Sequence, residues 1–370
     1  MEDLVLSATA QALGDAYAKK KVLVTGHTGF KGAWLTTWLA DLGADVVGYA
    51  LAPETTPSLF ALAALTEICT HHEGDVRDLD RVTALVRDAR PDYLFHLAAQ
   101  ALVRPSYEAP VDTFATNVMG TANVLEAVRR AGAPTTVVVV TTDKCYENRE
   151  WVHGYREEDP MGGHDPYSAS KGAAELVTAS FRRSYFPPSE LARHGVAVAT
   201  ARAGNVIGGG DWSKDRLVPD IVAALSAGRP IPVRNPRSVR PWQHVLEPLY
   251  GYLLLGAKMR ERPTVHASAY NFGPSFSASA TVREMVEAFI AAWGDGAWED
   301  KSDPSALHEA ALLRLSIDKA HAELGFTPRW DARTTIAATV DWYRAHARGT
   351  SGRDLRAMTL AQIRAYAAAD

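Results

Sequence analysis

The chain has 370 residues, of which 47% are hydrophobic and 22% charged, values typical of one large globular domain or of a domain with a smaller lobe. Its formal charge of −4 argues against a general nucleic-acid or membrane-surface binder. Two distant cysteines, no basic signal-peptide start and no apolar run of about 18 residues predict a cytoplasmic protein in a reducing compartment.

Short apolar segments alternate with helical stretches through the first half of the chain. The predicted strands are Lys21–Thr25, Asp45–Tyr49, His71–Glu73, Tyr93–Leu97, Thr136–Val140 and Val196–Ala201. The predicted helices are Lys31–Leu42, Asp78–Ala89, Val111–Ala131 and Tyr167–Phe186. Strands separated by helices indicate parallel strands joined by right-handed crossovers. We therefore expect an α/β domain built on a doubly wound parallel sheet over residues 1–203.

After Gly204 the alternation stops, and Gly208-Gly209-Gly210 with several prolines marks irregular loops. Further helices are predicted at Val218–Ala227, Val245–Met259, Val282–Trp293, Ile317–Leu324 and Thr334–Ala347, with a strand at Ile231–Val233. Ala269–Phe272 is expected to return to the main sheet, so that segments within 245–273 complete it. Residues 204–370 should then form mainly a smaller, mixed α/β substrate lobe.

A glycine-rich turn joins the first strand to the first helix of the sheet. It reads Gly26-His27-Thr28-Gly29-Phe30-Lys31-Gly32, with glycines at intervals of three. Such a turn lets the backbone approach a pyrophosphate that rests on the helix N-terminus. This predicts a Rossmann-type dinucleotide site contacted by Gly26, Thr28, Gly29, Phe30, Lys31 and Gly32.

The end of the second strand does not decide between NAD and NADP. Tyr49-Ala50-Leu51 stands where an acidic residue usually binds the adenosine ribose, and Glu54 follows several residues later. No arginine is present there to favour a 2′-phosphate. We expect NAD as the cofactor, without the usual carboxylate to secure it.

Two short motifs carry candidate chemistry. Tyr167 and Lys171 are four residues apart, on one face of a helix, and a nearby ammonium favours a phenolate that can act as a base. The strand Thr136–Val140 runs directly into Thr141-Thr142-Asp143-Lys144. An acid and a second amine are more than a plain alcohol dehydrogenase needs. We therefore expect the site to move protons in steps beyond hydride transfer.

Together these motifs resemble the extended short-chain dehydrogenase/reductase family over nearly the whole chain. Gly74-Asp75-Val76, Leu97-Ala98-Ala99 and Thr116-Asn117-Val118-Met119-Gly120-Thr121 extend the resemblance. It implies that Asp75 and Val76 flank the adenine, that Leu97, Ala98 and Ala99 contact the pyrophosphate and ribose, and that Thr116 lies on the nicotinamide side. Thr141, Tyr167 and Lys171 are assigned to the same cofactor site.

Within that family the chain is most similar to the nucleotide-sugar 4,6-dehydratases, and among them to those acting on CDP-glucose. Thr142-Asp143-Lys144 replaces the Thr-Asp-Glu of the dTDP-glucose enzymes, and Arg234-Asn235-Pro236 and Arg240-Pro241-Trp242-Gln243-His244-Val245 resemble the distal substrate loops. The resemblance implies conversion of CDP-glucose to a 4-keto-6-deoxy product. Dehydration of another NDP-hexose, 4-epimerisation and a non-catalytic dinucleotide sensor are the alternatives, and Asp143-Lys144 argues against epimerisation.

The resemblance also implies a role for each residue. Tyr167 would take the C4 hydroxyl proton, Lys171 would lower the pKa of Tyr167 and bind the nicotinamide ribose, and Thr142 would hydrogen-bond the C4 oxygen. Asp143 would protonate the C6 oxygen, while Lys144 would either remove the C5 proton or only position Asp143. The substrate diphosphate would be held by Asn205 and by two or three of the arginines Arg104, Arg216, Arg234 and Arg240. Trp242 is equally consistent with stacking on the base and with packing.

The remaining expectations concern partners and metals. No metal site is expected, because His71-His72 lacks accompanying ligands, and Cys145 has no obvious histidine partner for a nucleophilic role. The family resemblance implies a homodimer formed through the helices Val111–Ala131 and Tyr167–Phe186. The apolar stripe of each helix is equally consistent with packing on the sheet.

Overall fold

The computed structural model describes residues 8–274, 279–302 and 312–369, apart from the side chains of residues 8, 9, 240 and 279. Numbered in chain order, the strands are β1 Lys21–Thr25, β2 Asp45–Ala50, β3 Thr70–Glu73, β4 Tyr93–His96, β5 Thr135–Val140, β6 Val196–Ala203, β7 Val206–Ile207, β8 Ile231–Val233, β9 Val239–Pro241, β10 Gln243–His244, β11 Ala269–Phe272, β12 Ser279–Thr281 and β13 Trp298–Asp300.

The α-helices are numbered in the same way. They are α1 Ala8–Tyr17, α2 Phe30–Asp41, α3 Leu59–Leu62, α4 Leu79–Ala89, α5 Val103–Glu108, α6 Pro110–Phe114, α7 Gly120–Ala131, α8 Pro166–Ser184, α9 Leu191–His194, α10 Leu217–Ser226, α11 Leu246–Glu261, α12 Pro263–His266, α13 Val282–Trp293, α14 Asp318–Leu324, α15 Ala332–Ala347 and α16 Gly352–Ala368. Among the described residues, no helix is both long and apolar enough to span a membrane.

The main sheet has seven strands in the order β11-β6-β5-β4-β1-β2-β3, all parallel to their neighbours. Strands β5 and β6 are buried along their whole length, as their valine- and alanine-rich sequences require in a sheet covered on both faces. The strand order reverses between β1 and β4, which creates the crevice where ligands bind in open α/β sheets. The predicted α/β class and doubly wound sheet are confirmed. Ala269–Phe272 joins that sheet as predicted, and the structure shows it as an edge strand.

Helices cover both faces of the sheet. On one face, Trp34 of α2, Leu253 of α11 and Tyr366 of α16 belong to a single buried cluster. On the other face, Val82 of α4 and Val124 of α7 pack in a second cluster with the alternate residues of the strands. The strands thus send successive side chains into two separate cores, and this fixes their carboxyl ends along one edge.

The helix predicted at Val111–Ala131 consists of three segments instead of one. Helix α6 leads into a π-helical turn, Ala115–Met119, and then into α7. Within that turn the Asn117 side chain donates to the Gln100 carbonyl at 2.9 Å and to Ser170 Oγ at 2.8 Å. Wider turns of this kind are frequent at functional sites. Here the turn ties the helix to α8, next to Tyr167.

Beyond β6 the chain forms small two-stranded pairs and helices. The pairs are β10 with β7, β12 with β9 and β13 with β8. Helix α11 and strand β11 return to the main sheet, while α10 and the loops around it face the carboxyl ends of β5 and β6 across a cavity. The candidate site lies in this cavity.

Candidate active site

A cavity of about 770 Å³ brings together residues from distant parts of the sequence. Its lining includes Lys31, Arg104, Thr141, Thr142, Asp143, Lys144, Tyr167, Asn205, Arg216 and Arg234. We call the part formed by Thr142, Asp143, Lys144 and Tyr167 the catalytic end. The part formed by Arg104, Asp215, Asp220 and Arg234 is the arginine end.

The segment after β5 makes a short turn that aims two side chains at each other. Thr142 Oγ1 donates to Asp143 Oδ1 at 3.0 Å and accepts from the Lys144 amide at 3.4 Å. Thr142 and Asp143 are buried, whereas Lys144 is half-buried and borders the cavity. Gly204 lies close beside them: a Cβ at that position would lie 2.8 Å from Asp143 Oδ2, so the carboxylate would have to shift. The acid is therefore buried and hydrogen-bonded, whereas the lysine lies at the cavity surface.

Tyr167 lies in the first turn of α8, where Asp165 caps the helix by accepting from the Ser168 amide at 2.9 Å. Burial raises the pKa of Tyr167 to about 12, against the opposing effects of a Thr142 hydrogen bond and the charge of Arg216. Desolvation of the phenolate thus outweighs these two opposing effects. A lowering of this pKa by Lys171 stays a prediction.

Lys171 follows one helical turn later and points back toward β5. Its Nζ donates to the Val140 carbonyl at 3.2 Å. Burial lowers the pKa of Lys171 to about 8, with Glu175 acting in the opposite direction. The lysine is thus positioned by the end of the strand as well as by its own helix.

A buried ion pair stands behind this end of the cavity. Glu175 and Arg202 side chains are 4% and 5% exposed and meet at 2.8 Å. The Glu175 carboxylate also accepts from the hydroxyls of Thr141 and Thr200, and Arg202 Nη1 donates to the Tyr146 hydroxyl at 2.6 Å. Sequence reasoning missed this pair, although Glu175 follows Lys171 by one helical turn and so shares its face.

The glycine-rich turn forms a close backbone cradle between β1 and α2. Gly26 has a φ of +79°, and a Cβ there would lie 2.6 Å from the Ala98 amide nitrogen. Gly32 is equally restricted, since its Cβ would overlap the Gly26 carbonyl. Side chains are thus excluded from the turn, which leaves its backbone open to a large anion at the N-terminus of α2. This geometry fits a dinucleotide pyrophosphate.

Other residues expected at a cofactor surround the same edge. Asp75 follows β3 and pairs with Arg77 at 2.6 Å, while buried Val76 packs against Gly120. Leu97, Ala98 and Ala99 follow β4 directly, and the Ala98 amide donates to Thr25 Oγ1 at 3.3 Å. Thr116 lies in the π-helical turn. All of them therefore lie on segments that begin at the carboxyl ends of strands or pack beside them.

Lys31 has a position that the sequence did not reveal. It belongs to the glycine-rich turn, yet its side chain lines the cavity that holds Asp143 and Tyr167. Burial lowers its pKa to about 7, helped by Arg216 and opposed by Asp143. An amine with this pKa is only partly protonated near pH 7, and it lies where the dinucleotide cradle and the catalytic end meet.

The arginines of the cavity are paired with aspartates. Arg104 and Arg234 both donate to Asp215 Oδ1 at 3.1 Å, and Arg234 also donates to Asp220 Oδ2 at 3.0 Å. Arg216 pairs with Asp211 at 3.1 Å. Sequence analysis predicted the arginines and missed their carboxylate partners, although Asp211, Asp215 and Asp220 recur close to Arg216 in the sequence.

Two further substrate candidates have different surroundings. Arg240 lies in β9, opposite Ala280 of β12, and its side chain is outside the described part of the structure. Trp242 is buried and donates from Nε1 to the Ala280 carbonyl at 3.2 Å. This bond and its burial fix the Trp242 side chain in the packing of the lobe, and the same side chain borders the cavity.

The residues that were considered and rejected for metal binding or thiol chemistry have structural surroundings that explain them. His71 Nδ1 lies 2.7 Å from Nε2 of His27, beneath the glycine-rich turn. Cys145 is fully buried, and burial raises the pKa of its thiol. A thiol with a raised pKa is a poor nucleophile.

Comparison with known proteins identifies the family. A sequence model described as GDP-mannose 4,6-dehydratase matches residues 23–339.

The chain belongs to this family.

Among individual relatives, CDP-glucose 4,6-dehydratase of Salmonella typhimurium is 48% identical to this chain over 330 residues. The match covers 89% of this chain and 92% of the relative. A dTDP-glucose 4,6-dehydratase of Streptomyces antibioticus is 32% identical, covering 74% and 76%. The solved dTDP-glucose 4,6-dehydratase of Streptomyces venezuelae, a complex with NAD, superposes with a TM-score of 0.74 at 25% identity and covers 89% of this chain and 98% of its own. The resemblance to extended short-chain dehydrogenases/reductases and to nucleotide-sugar 4,6-dehydratases is thereby confirmed.

Proposed function

We propose that this chain is a CDP-glucose 4,6-dehydratase, which converts CDP-D-glucose to CDP-4-keto-6-deoxy-D-glucose and water by internal hydride transfer through NAD. One observation carries the proposal: Thr142, Asp143 and Lys144 meet Tyr167 in a single cavity, next to a dinucleotide cradle. A dehydratase needs an acid and a base in addition to the group that activates the sugar hydroxyl. The 48% identity to a CDP-glucose enzyme supports this nucleotide over others.

NAD is supported as the cofactor by the glycine cradle and by the NAD complex of a related dehydratase. Its contacts would be Gly26, Thr28, Gly29, Phe30, Lys31, Gly32, Asp75, Val76, Leu97, Ala98, Ala99, Thr116, Thr141, Tyr167 and Lys171. Bound NAD supplies a carbon that accepts hydride from C4 and later returns it to C6, together with a positive charge on its nicotinamide ring. We assign the cradle to a domain of residues 1–203 and the substrate lobe mainly to 204–370, with segments from 245–273 completing the sheet.

The first step belongs to Tyr167, which removes the proton of the C4 hydroxyl. Because burial raises its pKa to about 12 even with Thr142 and Arg216 opposing it, formation of the phenolate depends further on the positive charge supplied by the cofactor. Thr142 bonds the C4 oxygen, and Lys171, fixed on the Val140 carbonyl, holds the ribose of the nicotinamide. The positions of these three residues determine which hydroxyl is oxidised.

The second step uses the acid and the amine after β5. Once C4 is a ketone, the C5 proton is acidic, and Lys144 removes it from its half-buried place in the cavity wall. Asp143, which shares a hydrogen bond with Thr142, gives a proton to the C6 oxygen as water leaves. Neighbouring residues of one turn thus act on neighbouring carbons of one sugar.

The charged remainder of the substrate would bind toward the lobe. Asn205 and two or three of the arginines Arg104, Arg216, Arg234 and Arg240 are the proposed diphosphate ligands, because arginine forms charge-assisted bonds to diphosphate oxygens. In the described structure the first three arginines already point their guanidinium groups at carboxylates. Diphosphate oxygens offer the same kind of acceptor.

We also propose a homodimer formed by α6, the π-helical turn, α7 and α8 of two copies. Val111, Phe114 and Met119 on the first stretch and Leu176 on α8 are exposed apolar residues, with Val111 78% and Leu176 62% exposed. Such a patch favours an interface. Light scattering should give twice the chain mass for the wild type and a lower mass for Leu176→Glu.

The two free cysteines, Cys69 and Cys145, support a reducing, cytoplasmic location.

The proposed function is tested by mass spectrometry of purified protein with added NAD, incubated separately with CDP-, dTDP-, UDP- and GDP-hexoses. Loss of one water from CDP-glucose with little or none from the others is the expected result. Water loss from another nucleotide sugar would keep the reaction and reject the substrate. No water loss from any of them, with cofactor bound, would reject dehydration, and a change of C4 configuration would indicate epimerisation.

A further inference from the structure

Resting on the proposed function, we infer that the ion pair of Asp220 and Arg234 selects the base of the substrate, admitting cytosine and rejecting uracil and thymine. The inference comes from the position of the pair in the cavity and from its pattern of hydrogen-bond donors and acceptors. It gives Asp220, which has no role in the reaction steps above, a specificity role.

The pair lies at the end of the cavity where the base would be. Arg216 lines the same cavity as Tyr167 and Lys31, and its charge acts on both. Arg234 makes its ion pairs with Asp215 and Asp220 at the arginine end. A nucleoside diphosphate sugar whose hexose meets Tyr167 therefore passes its diphosphate near Arg216 and extends its base toward Arg234.

Apolar residues from two elements line the cavity beside the pair. Leu217, Val218 and Pro219 at the start of α10 line the cavity, and Pro232 of β8 lines it from the other element. Asp220 lies in the first turn of α10 and Arg234 directly after β8. The polar pair thus joins the two elements that supply these apolar walls, so a ring held between them presents its edge to the pair.

The pair offers an acceptor and a donor side by side. Arg234 Nη2 donates to Asp220 Oδ2 at 3.0 Å, and a carboxylate has lone-pair sites beyond the one used in this bond. The guanidinium carries five N–H groups, more than its bonds to Asp215 and Asp220 use. A ligand edge can therefore meet a carboxylate acceptor next to an arginine donor.

This order of groups matches cytosine and opposes uracil. Cytosine presents an N4 amino donor beside the N3 acceptor, and an acidic side chain accepting from N4 is an established pairing. Uracil and thymine present the O4 acceptor and the N3–H donor at the same places. Asp220 would then face an oxygen and Arg234 would face an N–H. Both mismatches are repulsive, so the pair discriminates by rejecting the wrong bases as well as by binding the right one.

Asp215 provides a matched control. It pairs with the same arginine through Oδ1 at 3.1 Å, and its side chain is 41% exposed against 34% for Asp220. Asp215 also pairs with Arg104, so it lies between two arginines instead of beside the walls of α10. Its φ of 61° is one that asparagine adopts readily, so Asp215→Asn keeps the backbone.

The experiment compares kcat/KM for CDP-glucose and UDP-glucose in the wild type, Asp220→Asn and Asp215→Asn. Both rates are taken from one preparation of each protein, so that the fraction of correctly folded enzyme cancels in the ratio. The inhibition constants of CDP and UDP as competitive inhibitors give a second ratio, which reports binding alone and does not depend on the rate of the reaction. We expect Asp220→Asn to lower both CDP/UDP ratios by about 10- to 100-fold. The asparagine amide can present either a donor or an acceptor to the base, so it no longer discriminates cytosine from uracil. Asp215→Asn should keep the wild-type ratios.

Unchanged ratios in Asp220→Asn would overturn the inference. An equal fall in both variants would also overturn it, since the effect would then arise from the charge around Arg234 and not from a carboxylate that reads the base. A wild type that dehydrates dTDP-glucose but not CDP-glucose would reject the proposed function itself. That result is distinguishable, because it appears before any variant is made.

Discussion

The two ends of the cavity hold their charges in different ways. Behind the catalytic end, Glu175 and Arg202 are 4% and 5% exposed and form hydrogen bonds with Thr141, Thr200 and Tyr146. At the arginine end, Arg104 and Asp215 are 47% and 41% exposed. A buried pair that loses one partner leaves an uncompensated charge, whereas an exposed pair can exchange its partner for water or ligand. We conclude that the first pair maintains the geometry and that the second is available for substrate binding.

The largest expected effect comes from Tyr167→Phe at the catalytic end. Removing the phenol should lower kcat by roughly 10²- to 10⁴-fold, because no other group takes the C4 proton. CDP should still bind with its wild-type affinity, since the arginine end is unchanged. Steady-state kinetics and titration calorimetry give the two values. Wild-type turnover in this variant would remove Tyr167 from the reaction.

The next largest effect tests the buried pair. Arg202→Met should lower the free energy of unfolding by about 3–5 kcal/mol, because Glu175 is left charged and buried. Urea denaturation measures this loss. The control is Arg283→Gln, which breaks a pair whose side chains are 62% and 46% exposed and should cost under about 1 kcal/mol. Similar losses of unfolding free energy in both variants would show that the buried and the exposed pair do not differ in their contribution to stability.

Lys144→Ala separates the steps within the catalytic end. If Lys144 is the C5 base, the variant should lose exchange of the C5 proton with solvent and fall in turnover by roughly 10²-fold. Deuterium incorporation from heavy water, followed by NMR, measures the exchange. Normal exchange in Lys144→Ala would show that this lysine only positions Asp143.

Lys31→Met tests the amine between the cradle and the catalytic end. Burial lowers the pKa of Lys31 to about 7, from about 10.5 in an unfolded chain. Between these values the unfolded state binds more protons, so wild-type stability due to this group rises with pH. Lys31→Met should therefore be more stable than the wild type at pH 6, with the advantage shrinking from pH 7 toward 10. Urea midpoints across this range measure it, with exposed Lys301→Met as control, and a constant advantage would contradict the burial of a charged amine.

Arg104→Gln should have the smallest effect on stability. Its pair with Asp215 is half exposed, so the free energy of unfolding should change by less than about 1 kcal/mol. Affinity for CDP should nevertheless fall by about tenfold, through loss of a charge-assisted bond, and the fall should diminish at high salt. Calorimetry at two salt concentrations measures this. A large loss of stability with unchanged affinity would reverse the roles given to the two ends.

The sequence was sufficient for the parts of the site that depend on local spacing. Gly26, Gly29 and Gly32 mark the turn, and Tyr167 with Lys171 share a helical face, because both patterns follow from the chain itself. Glu175 is equally local to Lys171, but its partner Arg202 comes from β6 and becomes a neighbour only through the strand order. The pKa of Tyr167 also depends on its burial in the folded protein, so its direction could not follow from the Tyr–Lys spacing. The aspartates facing Arg104 and Arg234 likewise require the folded lobe.

The most direct test of the account follows one hydrogen through the reaction. CDP-glucose labelled with deuterium at C4 is incubated with the enzyme and NAD, and the product is examined by mass spectrometry and NMR. Internal hydride transfer predicts a product that has lost one water and carries the deuterium at C6, transferred within the same molecule. A dehydrated product without the label, or a labelled product that keeps its C6 oxygen, would contradict internal hydride transfer in a 4,6-dehydratase.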